Sequence, residues 1–253
     1  MADRPDILWL DEVDSTNRFA LENFDALPDG CMVAPLRQSA GRGSKGRRWI
    51  SPPDVNVYTS LLLKGFDFTV HQAAWIGSLA VLEVLRTHAP RLDFRVKWPN
   101  DVLCGKKKIA GILCESRYGR RGGIVIGAGV NINMDPASLR EIGRPATSLY
   151  AETGVLADDV GSFALEIQKE ALKLYADARK EGGIANLHRL WSAENILAGK
   201  NISIRLHNGS ILTGLVVDFS GNGALILINH ADSRICEIPD GEVLSMTLPG
   251  ASS

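Results

Sequence analysis

The first 198 residues alternate short apolar runs with longer segments in which apolar residues recur at helical spacing. Short apolar or alternating runs predict strands, whereas a period of three to four residues predicts a helix. Six strands are expected, at residues 7–10, 31–34, 55–63, 94–97, 108–114 and 123–131. Helices are expected at about residues 15–24, 72–88, 147–152, 159–180 and 184–197. The pattern therefore predicts a fold of mixed α and β elements.

The helical period disappears after Gly199, which places a domain boundary between residues 198 and 199. Asn208-Gly209 is a hairpin turn signal, and Gly221-Asn222-Gly223 is a second one. Five short antiparallel strands that close into a small barrel are the expected result. The sequence thus predicts one domain over residues 1–198 and a second over residues 199–250.

Composition and charge exclude several classes of protein. Lysine and arginine total 28 against 29 aspartate and glutamate, a net charge of −1, so no global attraction to nucleic acid or to an acidic membrane is available. The longest apolar stretch, residues 73–85, is shorter than the roughly 20 residues that span a bilayer. The N-terminus lacks the apolar segment of a signal peptide, and the four cysteines form no Cys-x-x-Cys pair. We expect a cytoplasmic protein that binds neither nucleic acid nor membrane and holds no zinc.

The segment QSAGRGSKGRRWISP covers residues 38–52. Its glycines alternate with cations over residues 41–48, and Trp49 comes directly after this run. Glycines let backbone amides approach phosphate oxygens, and cations offset the charge of a polyanion. An aromatic ring at the end of the run could cover a base. The segment predicts an anion-binding loop, with a solvated basic surface loop as the alternative. It is not a Walker loop, because Gly46 is followed by Arg47 and Arg48.

The segment VKWPNDVLCGKKKIAGILCE delivers polar side chains at the end of a predicted strand, where ligands of α/β sheets commonly bind. Asp101 could help to hold magnesium or a nucleotide, although Lys97 and Asp101 could also be an ordinary ion pair. Lys108 opens a buried strand and therefore needs an anionic partner. Gly111 in the same strand permits a ligand to approach closely.

A third polar cluster is Asp14-Ser15-Thr16-Asn17. Its short side chains are typical of a helix N-cap. They are equally suited to bind a polar, uncharged head group. Both interpretations stay open from these residues alone.

Five motifs, DSTN, QSAGRGSKGRRWISP, KWPNDV, KKIAGILCE and GAGVNIN, occur in the order and spacing of biotin protein ligases. The chain resembles that family over almost its whole length. The resemblance implies an α+β (mixed α/β) catalytic domain of the class II aminoacyl-tRNA synthetase and biotin ligase type, followed by an SH3-like β-barrel. It also implies a ligase that uses biotin, ATP and Mg²⁺ to form biotinyl-5′-adenylate, then transfers biotin to a lysine of a biotin carboxyl carrier protein.

The resemblance also implies roles for individual residues. Biotin would be bound by Ser15, Thr16, Asn17, Gln38, Arg42, Gly43, Ser44, Lys108 and Gly111. ATP and the adenylate would be bound by Gly41, Lys45, Arg47, Arg48, Trp49, Asn100, Asp101 and Asn131. Catalysis would involve Lys108, Arg42, Lys97 and Asp101, with Lys108 steadying the biotin carboxylate and the α-phosphate. Asp101 is also the candidate metal ligand.

Two departures from the family pattern bear on function. Regulatory members carry a helix-turn-helix domain of about 60 residues before the ligase, whereas the first strand here is expected at residue 7, so no repressor activity is predicted. Ser44 stands where well-known members carry a further arginine, which predicts weaker retention of the adenylate. Family members range from monomers to dimers, so a homodimer is compatible with the resemblance.

Two alternatives remain. A lipoate or octanoate ligase or transferase shares the fold class, but an apolar dithiolane would leave a polar Ser15-Thr16-Asn17 pocket unpaired. A nucleotide- or RNA-binding module built on the barrel is the non-enzymatic alternative. The barrel segment lacks a stacking platform for bases, since Phe219 is its sole aromatic residue.

Overall fold

A computed structural model describes residues 6–65, 68–119 and 122–247, and its centre is a seven-stranded mixed sheet. The strands run in the order β1-β2-β3-β7-β6-β5-β4. Only the pair β1 and β2 is parallel among the ladders of this sheet in the described ranges. The strands are β1 (Ile7–Val13), β2 (Met32–Gln38), β3 (Val57–Lys64), β4 (Phe94–Lys97), β5 (Asp101–Cys104), β6 (Lys107–Arg117) and β7 (Gly123–Val130).

The helices cover the two faces of this sheet unequally. Helices α2, α5 and α6 pack together, and α2 and α5 bury the larger face. Helix α1 lies on the opposite face over a small cluster that includes Phe24, Leu62 and Val125. The helices are α1 (Thr16–Glu22), α2 (Val70–His88), α3 (Pro136–Arg140), α4 (Leu149–Thr153), α5 (Val160–Ala178) and α6 (Gly183–Glu194). No helix within the described ranges is both long and apolar enough to cross a membrane.

Local sequence explains where these elements begin and which face they bury. Helix α2 begins with a capping box, because Thr69 accepts from the backbone N–H of Gln72 while the Gln72 side chain accepts from the backbone N–H of Thr69. Along β3, Leu61 and Leu63 join the core under α2, whereas Leu62 joins the cluster under α1. Alternate residues of β3 therefore face α2 and α1. The functional site described below lies on the side of the sheet that carries α1.

Two short elements escaped the sequence prediction. Strand β5 has four residues between Pro99 and Gly105, and α3 has five residues. Neither is long enough for a hydrophobic period to be read. All of the strands and helices that the sequence predicts are present, with ends that differ by a few residues.

A second, five-stranded antiparallel sheet follows α6, in the order β11-β10-β9-β8-β12. Gly209 and Gly223 have φ values of 87° and 79°, as the two predicted hairpin turns require. The strands are β8 (Asn201–Leu206), β9 (Ile211–Phe219), β10 (Leu225–Asn229), β11 (Ile235–Ile238) and β12 (Val243–Thr247). The predicted fold class, a mixed α and β domain with a small C-terminal β domain, is confirmed.

The two sheets share one buried apolar cluster. Trp191 of α6 meets Phe219 of β9 edge to face, with ring centroids 5.0 Å apart. The indole N–H of Trp98 donates to the carbonyl of Gly223 at 2.8 Å. The division into domains at residues 198 and 199 therefore stays a prediction, because the apolar core continues across it.

Candidate active site

A cleft opens on the face of the large sheet that carries α1. We call this cleft the first compartment. A second compartment adjoins it and shares Arg47, Trp49, Lys108 and Arg144 with it. The first is also lined by Ser15, Thr16, Asn17, Gln38, Arg42, Gly43, Ser44, Asn100, Gly111, Ile112, Leu113, Gly127, Ala128 and Gly129. The second is also lined by Arg48, Ile50, Asn131, Ile142 and Ala146.

Glycines of β6 and β7 form the floor of the first compartment. Gly111 pairs with Gly129 across the two strands. A Cβ atom on Gly129 would lie 2.5 Å from the Trp49 ring, and one on Gly127 would lie 2.2 Å from the Asn17 side-chain oxygen. Only glycine allows these two side chains to rest against the sheet.

The N-terminus of α1 supplies the polar end of the first compartment. Ser15 has the extended backbone of an N-cap residue, yet its side chain makes no capping hydrogen bond. The backbone N–H of Thr16 donates instead to the Gln38 side-chain oxygen at 2.9 Å, and the Gln38 amide donates to Ser51 at 3.0 Å. The Ser15 hydroxyl is therefore not used as a cap, which favours the ligand-binding interpretation of this cluster.

Asn17 is buried in the first compartment with both of its polar atoms engaged. Its oxygen accepts from the Ser60 hydroxyl at 2.6 Å, and its amide donates to the Leu113 carbonyl and to Glu115, both at 2.9 Å. Glu115 also accepts from Arg42 at 2.8 Å. Asn17 thus connects α1 to β3 and β6, and this network holds Arg42 at the cleft wall.

Residues 41–49 form a small hairpin, which we call the basic hairpin. Arg42 and Arg48 are bridged as antiparallel partners. The N–H of Gly43 donates to the Arg47 carbonyl at 2.7 Å, and the N–H of Trp49 donates to the Gly41 carbonyl at 2.9 Å. The predicted anion-binding loop is therefore a hydrogen-bonded element.

The cations of the basic hairpin point in different directions. Arg47 lines both compartments and donates to the Ser44 hydroxyl at 2.9 Å. Lys45 instead donates to the Val243 carbonyl at 2.6 Å and pairs with the Asp240 carboxylate at 3.3 Å. Lys45 lines neither compartment, so the structure places it away from the nucleotide position that the resemblance implies.

Lys108 lies at the boundary between the two compartments, with 13% of its side chain exposed. Its ammonium group pairs with Asp101 and lies 5.3 Å from the centroid of the Trp49 ring. Burial lowers the pKa of Lys108, and Asp101 opposes this effect. Asp101 is therefore the anionic partner that the sequence requires.

Lys97 does not have the role that its spacing suggested. It lies opposite Asp101 in the β4–β5 hairpin, but Asp101 pairs with Lys108. Lys97 also lines neither compartment. The alternative of a simple Lys97–Asp101 ion pair is wrong, and a direct catalytic role for Lys97 finds no support in its position.

The remaining predicted residues brace the cleft. Asn100 donates to the Ile112 carbonyl at 2.5 Å, and Asn131 donates to the Thr147 carbonyl at 2.9 Å. The indole N–H of Trp49 is buried without a partner among the described residues. A buried donor of this kind in a cleft is available to a ligand.

Sequence reasoning missed several residues of the cleft. The glycines of GAGVNIN contribute to the sequence analysis only as part of a family motif, although their place in a buried strand is a signal of close approach. Arg144 follows Gly143 in a loop and lines both compartments. No local pattern in the sequence marks Arg144.

The carboxylates near the cleft do not fit a magnesium ion held by the protein. Among the described residues, no three His, Cys, Asp or Glu side chains lie together. Asp101 is paired with Lys108, and Glu115 is bound by Asn17 and Arg42. Magnesium is usually bound through one or two carboxylates together with substrate phosphates, and both of these carboxylates are already engaged by protein groups. The geometry gives no support to Asp101 as a metal ligand.

Comparison with known proteins places the chain in a family. The Biotin/lipoate A/B protein ligase family matches residues 9–131. The biotin–[acetyl-CoA-carboxylase] ligase of Paracoccus denitrificans is 30% identical over 92% of this chain and 98% of its own length. The bifunctional ligase/repressor BirA of Bacillus subtilis is 31% identical over 87% of this chain and 69% of its own length. The biotin protein ligase of Aquifex aeolicus, solved with biotin and ATP, is 29% identical with a TM-score of 0.79, covering 96% of this chain and 99% of that one. The chain therefore belongs to the biotin protein ligases of the biotin/lipoate A/B protein ligase family.

Proposed function

We propose that the two compartments carry out the two half-reactions of an ATP-dependent biotin protein ligase. The first half-reaction joins biotin to AMP, and the second half-reaction transfers biotin to a lysine of a biotin carboxyl carrier protein. One observation carries this proposal: a buried lysine stands where a polar compartment meets a basic one. The Aquifex aeolicus relative, solved with biotin and ATP, supports the same pair of substrates.

In the first half-reaction, the head group of biotin occupies the first compartment and its carboxylate points to Lys108. The adenine ring packs in the second compartment among Trp49, Ile142 and Ala146. A carboxylate oxygen attacks the α-phosphorus, so that a C–O–P linkage forms while the bond from Pα to the bridging oxygen breaks. Pyrophosphate leaves with that electron pair.

Fixed cations are needed for this attack because both reactants are anionic. Two like charges 4 Å apart repel by about 4 kcal/mol at an effective dielectric of 20. Lys108 and Arg47 are held at the boundary by Asp101 and Ser44, so their charges are in place before the substrates meet.

In the second half-reaction, the neutral amine of the carrier lysine attacks the acyl carbon. An amide bond forms, AMP leaves, and the amine proton passes to solvent. Asp101 is not free to serve as the base, because its carboxylate neutralises Lys108. In this scheme Asp101 is a positioning residue.

Magnesium enters as part of the substrate, bound to the phosphates of ATP, and no step above depends on a protein ligand for it. The carrier protein is the expected macromolecular partner. A cytoplasmic location and a homodimer remain predictions, and sedimentation of the purified protein tests the second of them.

The alternative of a lipoate or octanoate ligase is not favoured. The ureido ring of biotin offers N–H donors and a carbonyl acceptor, which suit the hydroxyl and amide groups at the start of α1. Asn17 and Thr16 already have partners within the protein, so an apolar dithiolane or alkyl chain would leave the Ser15 hydroxyl unpaired. The relatives from Paracoccus denitrificans and Mycobacterium tuberculosis are both biotin–[acetyl-CoA-carboxylase] ligases.

The test is exchange of labelled pyrophosphate into ATP with biotin, lipoate or octanoate as the acid. Biotin should support the fastest exchange, and faster exchange with either other acid would overturn the substrate assignment. Lys108→Ala should lower the biotin-dependent rate by at least about 10²-fold, since it removes a cation at developing charge. The matched control is Lys106→Ala, because Lys106 is exposed and lines neither compartment.

A further inference from the structure

Among the described residues, Arg144 and Arg48 are the two cations of the cleft whose side chains have no ion-pair or hydrogen-bond partner, and Arg48 is exposed. Arg144 is half-buried and lines both compartments. Arg42 is paired with Glu115 and Lys108 is paired with Asp101. Within residues 6–65, 68–119 and 122–247, no side chain or carbonyl forms an ion pair or hydrogen bond with the Arg144 guanidinium. The empty cleft therefore contains an uncompensated positive charge.

The backbone around Arg144 is tied directly to Lys108. The N–H of Lys108 donates to the Pro145 carbonyl at 3.1 Å, and the N–H of Thr147 donates to the Lys108 carbonyl at 2.8 Å. Gly143, with φ of 70°, provides the turn before this segment. Arg144 is consequently held by the strand that carries the lysine at the boundary of the compartments.

The charges of Arg144, Arg47 and Lys108 influence one another. After burial, which is the main cause, repulsion from Arg144 and Arg47 contributes to lowering the pKa of Lys108. Converging cations of this kind are unfavourable in the empty protein and become favourable when a polyanion lies between them. A guanidinium can also give two parallel hydrogen bonds to one phosphate.

We propose that Arg144 is a nucleotide-binding residue that contacts the polyphosphate of ATP during adenylate formation. This proposal rests on the proposed function and adds a residue to its nucleotide site. Arg144 also lines the first compartment, but the single negative charge of biotin faces Lys108 in the proposed function, so we expect biotin binding to depend little on Arg144.

The test compares wild-type protein with Arg144→Gln and Arg144→Lys in biotin-dependent pyrophosphate exchange. We expect Arg144→Gln to raise the KM for ATP about 10- to 100-fold, the range for loss of a charge-assisted hydrogen bond. Arg144→Lys should show a smaller increase in the KM for ATP, because lysine keeps the positive charge but cannot form the two parallel hydrogen bonds of a guanidinium. The Kd of biotin, followed by tryptophan fluorescence, should stay within about twofold, which also shows that the cleft is folded.

The matched control is Arg140→Gln, because Arg140 is an exposed arginine four residues away. It should leave the KM for ATP unchanged. An unchanged KM for ATP in Arg144→Gln, or a rise confined to the KM for the carrier protein, would overturn the assignment of Arg144 while leaving the ligase activity established. Absence of biotin-dependent exchange in the wild-type protein would overturn the proposed function and this inference together.

Discussion

Ser44 acts on the cleft through its neighbour Arg47. Its hydroxyl accepts from the Arg47 guanidinium at 2.9 Å and its carbonyl accepts from the same group at 3.2 Å. The resemblance leads one to expect an arginine at this position. Lys45 is the nearest cation along the chain, but it is committed to Asp240 and Val243. The structure therefore provides no ready substitute for the missing charge.

We predict that Ser44→Arg slows release of preformed biotinyl-5′-adenylate by about 10- to 100-fold, because a charge-assisted hydrogen bond replaces a neutral one. Chasing labelled adenylate off both proteins measures the effect. Ser44→Ala is the control that removes the hydroxyl without adding a charge. Equal release from wild type and Ser44→Arg, together with faster release from Lys45→Ala, would show that Lys45 compensates.

Asp101 should determine the pH range in which the first half-reaction works. Lys108 acts as an ammonium ion, burial lowers its pKa, and Asp101 raises it again. Activity is lost as the pH rises through the pKa of Lys108. Asp101→Asn should therefore move the alkaline limb of the exchange rate to lower pH. In the double variant with Lys108→Arg this movement should vanish, since a guanidinium does not titrate in that range. An unmoved limb in Asp101→Asn would contradict the pairing.

The basic hairpin connects the cleft to the C-terminal sheet. Its tip is formed by Ser44–Gly46, where Lys45 has a left-handed backbone with φ of 58°. The Lys45 side chain reaches the turn of Asp240–Glu242 and the start of β12. Three glycines and four cations in this run predict mobility in the empty protein, whereas the hydrogen bonds of the hairpin oppose it.

Trypsin provides the measurement for this element. Cleavage in residues 42–48 should be slowed by biotin plus ATP, because the ligands screen the repulsion and order the hairpin. Asp240→Asn should speed cleavage of the empty protein by about two- to fivefold, which corresponds to a partly exposed ion pair of up to about 1 kcal/mol. Asp232→Asn, on an exposed loop of the same sheet, is the control. A cleavage rate that changes neither on addition of biotin plus ATP nor in Asp240→Asn would argue against a closing hairpin.

Across the whole molecule, Arg86 of α2 joins two other elements. It donates to both carboxylate oxygens of Glu194 in α6, at 2.9 and 2.6 Å, and to the Phe94 carbonyl of β4 at 3.0 Å. Arg86 lowers the pKa of Glu194. A carboxyl group with a lowered pKa stabilises the fold above its unfolded pKa of about 4.3, and this contribution disappears as the pH falls through the folded value.

Glu194→Gln should therefore reduce the free energy of unfolding by about 1 to 2 kcal/mol at pH 7, the range for a partly exposed pair with charged hydrogen bonds. The difference from wild type should begin to shrink as the pH falls below the unfolded pKa of about 4.3 and should vanish once the pH has passed through the lowered pKa of folded Glu194. Denaturant unfolding at several pH values measures both. Glu237→Gln, an exposed carboxylate of β11, is the control. A difference that stays constant as the pH falls would mean that packing of Glu194 matters more than its charge.

Local patterns were sufficient for most elements and for the chemistry of the cleft. The apolar period of α2, the alternation along β3 and the turn glycines Gly209 and Gly223 act over a few residues, so they are visible in the chain. That Ser15 and Lys108 share one site was implied by the family resemblance, because no local pattern near either residue indicates it. The short elements β5 and α3 were missed because they contain too few residues for a period.

The pairing of charges depends instead on which distant segments pack together. Lys45 and Asp240 are 195 positions apart, and nothing near either residue indicates that they meet. The same holds for Arg144, which reaches the cleft because its segment bonds to the backbone of Lys108. A sequence pattern specifies which residues a short element buries, whereas an ion pair forms wherever the packed chain leaves two charges within reach. The directions of Lys45, Lys97 and Arg144 therefore follow from the packed structure and could not be read from the sequence.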